Sequence, residues 1–99
     1  MPNPLLGRNH CLRLKPQEIS WSHPESSCHF DRPFVSTQGA LKEFGPAILV
    51  TLLQRLQVKA KRKGGLDYLQ VFENLEKGGT DLWFIEDGVA VTALLPSEY

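Results

Sequence analysis

"DLWFIEDGVAVTALLP", Asp81 to Pro96, is the stretch on which the fold class turns. Asp87-Gly88 is the dipeptide that a two-residue type I′ turn favours, because both central residues there take positive φ. That register pairs Glu86 with Val89, Phe84 with Val91 and Leu82 with Ala93. Side chains alternate across a strand, so one face of the ribbon carries Leu82, Phe84, Val89, Val91, Ala93 and Leu95. The other carries Trp83, Ile85, Ala90, Thr92 and Leu94. Both are apolar. One can cover a helix; the second needs the N-terminal arm, another element or another copy of the chain. Left bare, it would be an apolar patch of the kind that marks an interface. Pro96 has no amide to donate and stops the ladder, leaving Ser97, Glu98 and Tyr99 as a short polar end.

Upstream, "STQGALKEFGPAILVTLLQRLQVKAKRK" (Ser36 to Lys63) is helical. Ser36 or Thr37 fits the N-cap, where a hydroxyl accepts from an unpaired first-turn amide. Gly45-Pro46 interrupts the pattern, so a short helix over about 38–44 hands over to a second one, with proline in its first turn. From Ala47 the residues Ile48, Leu49, Leu52, Leu53 and Leu56 make a broad helical stripe, the core helix of about 12 residues. Gly64 or Gly65 is free to take the left-handed cap. The next segment, residues 66–77, reads either way. Its β-formers and the Gly78-Gly79 turn favour a strand, whereas Leu66, Leu69, Phe72 and an Asp67/Gln70 capping box would suit a helix.

The expectation is therefore a small single α+β domain. One main helix packs on a three-stranded antiparallel β-meander over residues 34–99, preceded by an irregular N-terminal arm over 1–33. That arm is rich in Pro, Ser, His and Asn, with Trp21 and Phe30 available to pack onto the body. A chain of 99 residues, 41% hydrophobic with two Trp, two Tyr and five Phe, can build one core without staples. Cys11 and Cys28 are too few for a disulfide scaffold and are expected as free thiols. No window approaches a signal peptide or a membrane span, so a soluble, cytoplasmic protein without membrane contact is expected.

Net charge is zero, yet residues 1–63 sum to +6 and residues 64–99 to −6. The two halves should attract one another within the fold or between copies. Zero net charge gives no support to polyanion binding by the whole surface.

"HFDRPFVSTQGALKEFG" (His29 to Gly45) and the terminal "LLPSEY" (Leu94 to Tyr99) together resemble a family of short, often plasmid-borne bacterial proteins of unknown function. Its pattern has a His, then Arg-x-Phe-x-x-Thr-x-Gly before a helix, an aromatic strand like "LQVFENLE", and a Leu-Pro-Ser-Glu-Tyr end. Arg32, Phe34, Thr37, Gly39 and the last five residues match it. His29 stands one residue closer to Arg32 than the pattern has it, and the family's central strand-rich stretch is missing. The resemblance implies a fold and a mobile-element context, without an activity. The ribbon "FIEDGVAVTALLP" is also similar to the hairpin of small Phd-like antitoxins.

Candidate chemistry is sparse. His10, Cys11, His23, Cys28 and His29 are donor types that zinc prefers, but no Cys-x-x-Cys occurs and the spacing fits no standard knuckle. Cys28 with His23 or His29 is formally a nucleophile and base, in an arm that shows no cleft. The acids Glu73, Glu76, Asp81, Glu86, Asp87 and Glu98 scatter over strand ends and turns and read as solvated surface. No phosphate-binding glycine loop is present. Neither catalytic residues, a metal site nor a cofactor is expected. The leading expectation is an accessory or regulatory protein that binds a protein partner or itself through Trp83, Ile85, Thr92, Leu94 and Tyr99. The alternative is nucleic-acid contact through Lys59, Lys61, Arg62 and Lys63, the run "KAKRK". Against it, basic residues at a helix C-terminus also complement the macrodipole.

Overall fold

The computed structural model of the chain describes residues 12–16 and 28–99. Among them the order is β1 (Leu12–Leu14), β2 (Phe34–Ser36), α1 (Gln38–Phe44), α2 (Pro46–Lys63), β3 (Leu69–Asn74), β4 (Leu82–Glu86) and β5 (Val91–Leu94), with a 3₁₀ turn at Pro96–Glu98. The strands form one sheet in the order β1-β3-β4-β5-β2. β3, β4 and β5 run antiparallel as expected, and β1 adds antiparallel to β3. β2 lies parallel to β5. The sheet is thus five-stranded and mixed rather than a three-stranded antiparallel meander, and the main helix is accompanied by α1, the short helix expected over about 38–44. The α+β class holds. Residues 12–14, expected in an irregular arm, are an edge strand. Within residues 66–77 the strand reading holds for Leu69–Asn74, with Gln70 Nε2 donating to the Asp67 carbonyl at 3.1 Å as the chain enters β3.

The helical caps follow from side-chain chemistry. Thr37 sits extended before α1, and its Oγ1 accepts from the Ala40 amide at 3.2 Å. Pro46 opens α2 directly after Gly45. α2 runs 18 residues rather than about 12, because Ala60 prolongs the buried stripe of Ile48, Leu49, Leu52, Leu53 and Leu56 by one turn. It ends at Gly64, whose φ of 75° and ψ of 22° lie in the left-handed region.

Both helices contribute to one core on one face of the sheet. That core joins the α2 stripe, Ala40 and Phe44 of α1, and Leu12, Phe72, Leu82, Phe84, Val91 and Ala93 of the sheet. Phe84 is its centre, stacked on Phe34 at 6.0 Å and meeting Phe72 edge-on at 5.5 Å. Phe30 is fully buried in the same cluster despite a positive φ of 58°. Its amide donates to Glu86 Oε1 at 2.8 Å and its carbonyl accepts from Gln57 Nε2 at 2.8 Å, so both neighbours pin the strained residue. Trp21 lies outside the described residues.

The hairpin register differs from the two-residue turn. Glu86 pairs with Val91, Phe84 with Ala93 and Trp83 with Leu94, leaving Asp87 to Ala90 as a four-residue loop. Asp87 Oδ1 accepts the amides of Val89 and Ala90, both at 2.9 Å, closing the loop through a side chain. On its other side β5 is held by β2, with Phe34 opposite Val91. The slip is by two residues, an even number, so every strand residue keeps the face that the sequence assigned to it. Val89 and Ala90, each assigned to one of the two faces, instead sit in the loop, where Val89 is 76% exposed.

Gly64→Ala should lower stability by about 1 kcal/mol, since an L side chain is strained in the left-handed region. Thermal melts should show a fall of roughly 4–8 °C. No change would mean that α2 ends elsewhere.

Candidate functional site

The sheet face away from the helices carries two apolar rows. The register places Val71, Trp83 and Leu94 side by side, then Leu69, Ile85, Thr92 and Val35 in the next row. At one end Arg13 lies opposite Glu73, and their ion pair closes at 2.6 Å. Trp83, Ile85 and Thr92 are half-buried, and Val35 at the β2 edge is exposed. Leu94 lies on the same face, outside the core cluster, and is only 6% exposed, so little of it is open to a partner. Tyr99 is 78% exposed, yet its ring meets the edge of Trp83 at 5.5 Å, so the C-terminus shields part of the face. The five expected binding residues therefore do gather on one side. Leu69, Val71 and Val35 join them, missed because their strand pairing was not legible.

The other expected site divides. Lys61, Arg62 and Lys63 are exposed at the end of α2 and Lys59 is half-buried. Arg55, Lys59, Arg62 and Lys63 line a hollow of about 470 Å³ along one side of the helix, with Thr51, Gln54 and Val58. Lys61 is not part of it. Arg55 was missed; the helical spacing 55-59-62 is the signal that finds it.

The Thr-x-Gly and Pro-Ser-Glu motifs turn out to touch. Glu98 Oε1 accepts from Thr37 Oγ1 at 2.5 Å and from the Leu95 amide at 2.9 Å, while Oε2 accepts from the Gly39 amide at 3.2 Å. A carboxylate is thereby lodged at the first turn of α1, where unpaired amides favour negative charge. A Cβ on Gly39 would land on that carboxylate, which explains the glycine. The Thr37 hydroxyl and the amides of Leu95 and Gly39 hold the Glu98 carboxyl below its ordinary range. The clamp ties the C-terminus to the start of α1.

A second hollow, of about 500 Å³, is lined by His29, Asp31, Arg32, Pro33 and Glu86. Cys28 lies behind it, paired through its backbone to Leu66. Burial, followed by the nearby charge of Glu86, a hydrogen bond to Glu86 and the charge of Asp67, pushes the Cys28 thiol up to about 11. A thiol so raised is protonated at neutral pH and is a poor nucleophile. His10, Cys11 and His23 lie outside the described residues. Among the described residues no three His, Cys, Asp or Glu side chains gather to hold a metal ion. None of the described helices is long and apolar enough to cross a membrane. No protein family, curated protein or solved structure matches the chain.

Two pH effects should be measurable. The folded-state pKa of Glu98 lies below the ordinary carboxyl value of 4.5, so its contribution is present above that value and is lost as pH falls through the folded pKa. Glu98→Gln should be less stable than the native chain at pH 7, with the gap closing under acid; a pH-independent gap would contradict the clamp. On a Cys11→Ser background, Cys28 should react with iodoacetamide at pH 7.5 about two orders of magnitude more slowly than an unperturbed thiol. Glu86→Gln should recover part of that rate.

Proposed function

We propose that the protein is a non-enzymatic binding protein that self-associates through the outer face of its sheet. The observation that carries this reading is the pair of apolar rows, Val71-Trp83-Leu94 and Leu69-Ile85-Thr92-Val35, with no described helix or strand laid over them. The middle of the face carries no charge, and at its end Arg13 and Glu73 satisfy one another within the chain. Depletion of charge at the centre of a patch is what distinguishes an interface core.

A second copy is the occupant that the face suits. Two identical twisted sheets pack face to face at about 30° to one another, with β-branched and aromatic side chains interlocking. A twofold axis makes the same patch serve both partners. Trp83, fixed by Tyr99 on one flank, would supply the rigid anchor, and Ile85 and Val71 the surrounding contacts. Charge attraction between the +6 and −6 halves is not needed for this mode.

Light scattering coupled to size exclusion should find a dimer whose fraction grows with protein concentration. Ile85→Asp should raise the dissociation constant by roughly tenfold or more, since an unpaired charge would be buried. Val71→Glu, one row away, should act in the same direction, and both should retain the native circular dichroism. A native chain that stays monomeric at every concentration overturns the reading.

A further inference from the structure

We infer that one flank of α2 is a nucleic-acid contact surface, formed by Arg55, Lys59, Arg62 and Lys63 around the apolar floor of Val58. The starting observation is how the two signs of charge are used. Of the seven carboxylates in residues 64–99, at least five are engaged by the fold itself. Glu73 pairs with Arg13, Asp81 accepts the Asn74 amide, and Glu86 accepts the Phe30 amide. Asp87 holds the hairpin loop, and Glu98 holds the start of α1. Every one of these bonds is to a group outside α2. By contrast, α2 contains Arg55, Lys59, Lys61, Arg62 and Lys63 and no Asp or Glu in its 18 residues. None of these cations pairs with a carboxylate among the described residues. The zero net charge hides a helix whose cations form no ion pair among the described residues.

Complementing the macrodipole explains only part of this set. That effect fades beyond the last turn, which here holds Lys61, Arg62 and Lys63. Arg55 and Lys59 lie further back, aligned with Arg62 and Lys63 at i, i+4, i+7 and i+8. At about 1.5 Å per residue the four span about 12 Å of helix axis. One strand of a duplex offers about one phosphate per 3.4 Å of its own axis, so three to four phosphates face such a row. The walls of the hollow are the stems of these side chains, with Thr51 and Gln54 as neutral hydrogen-bonding groups, and Val58 lies 57% exposed in its floor. A sugar-phosphate strand supplies both what the rim needs and carbon surface for the floor. An anionic membrane fits less well, because the apolar stripe of α2 faces the sheet and its outer side has too little apolar surface to enter a bilayer. No aromatic side chain lines the hollow, so contact is to the backbone and does not read sequence.

The probe is a fluorescently labelled random-sequence DNA, used as duplex and as single strand, titrated by anisotropy at several salt concentrations. The expected result is micromolar or weaker binding that falls with salt at a log–log slope of about −3, from three to four phosphate contacts. Arg55→Gln with Arg62→Gln should make the slope shallower by about two. Lys59→Gln with Lys63→Gln should act likewise. Lys61→Gln, which lies about 160° around the helix from Lys59 and outside the hollow, should leave the slope unchanged. Binding lost equally in Lys61→Gln overturns the site. Absence of binding at low salt overturns it as well, and so does equal affinity for poly-glutamate or for anionic phospholipid vesicles. The Ile85→Asp chain keeps the row intact and should bind DNA as a monomer, which separates failure here from failure of the sheet face.

Discussion

Strand β5 lies between two partners of opposite direction, and most of the architecture depends on that position. Its antiparallel side meets β4 and its parallel side meets β2, where Phe34, Val35 and Ser36 stand opposite Val91, Thr92 and Ala93. The Val91 amide donates to the Pro33 carbonyl and the Thr37 amide to the Ala93 carbonyl, so the ladder continues past β2 at both ends. A turn of two residues would slide β5 along β4 and break this second ladder. The four-residue loop closed by Asp87 is the geometry that satisfies both neighbours. The same ladder delivers Thr37 to the start of α1 and brings it within reach of Glu98, which follows β5 by four residues. Strand, cap and C-terminus are thus one connected set of hydrogen bonds.

What could be read from the sequence was what repeats locally. The stripe of α2, the Thr37 cap, the Gly64 stop and the two faces of the ribbon all rest on spacing within a few turns or strand residues. The faces survived even a wrong register, because a slip of two preserves alternation. Strands of three residues show no period, so Leu12–Leu14 and Phe34–Ser36 carried no signal; each exists because a distant strand had an unpaired edge. The length of α2 was legible and overlooked. Ala60 stands four residues after Leu56 and continues the stripe, which places Lys59 to Lys63 on the helix rather than after it.

That displacement changes what the basic run is. As a tail it would be a solvated string of like charges, whose weight in any contact is small. On a helix backed by a packed sheet, its members are sorted by angle, with Arg62 and Lys63 joined to Arg55 and Lys61 turned away. Rigid spacing reduces the entropy lost when charges meet a regular polyanion, and guanidinium groups can engage phosphate oxygens in pairs.

The two proposed surfaces belong to opposite layers of the molecule, and the core between them keeps them independent. α2 faces the sheet with Ile48, Leu49, Leu52, Leu53, Leu56 and Ala60, so its basic row lies on a flank of the helix layer, separated by the sheet from the side that carries Trp83 and Ile85. Two copies joined through their sheet faces would place a helix on each outer surface, with both basic rows open to solvent. Joining the copies would bring a second row near the same polyanion and raise avidity through effective concentration, provided that the strand can reach both. A monomer would rely on a single short row at zero net charge, a weak and salt-sensitive contact. If both proposals hold, self-association and strand binding would be linked only through effective concentration, with no direct contact between the two surfaces.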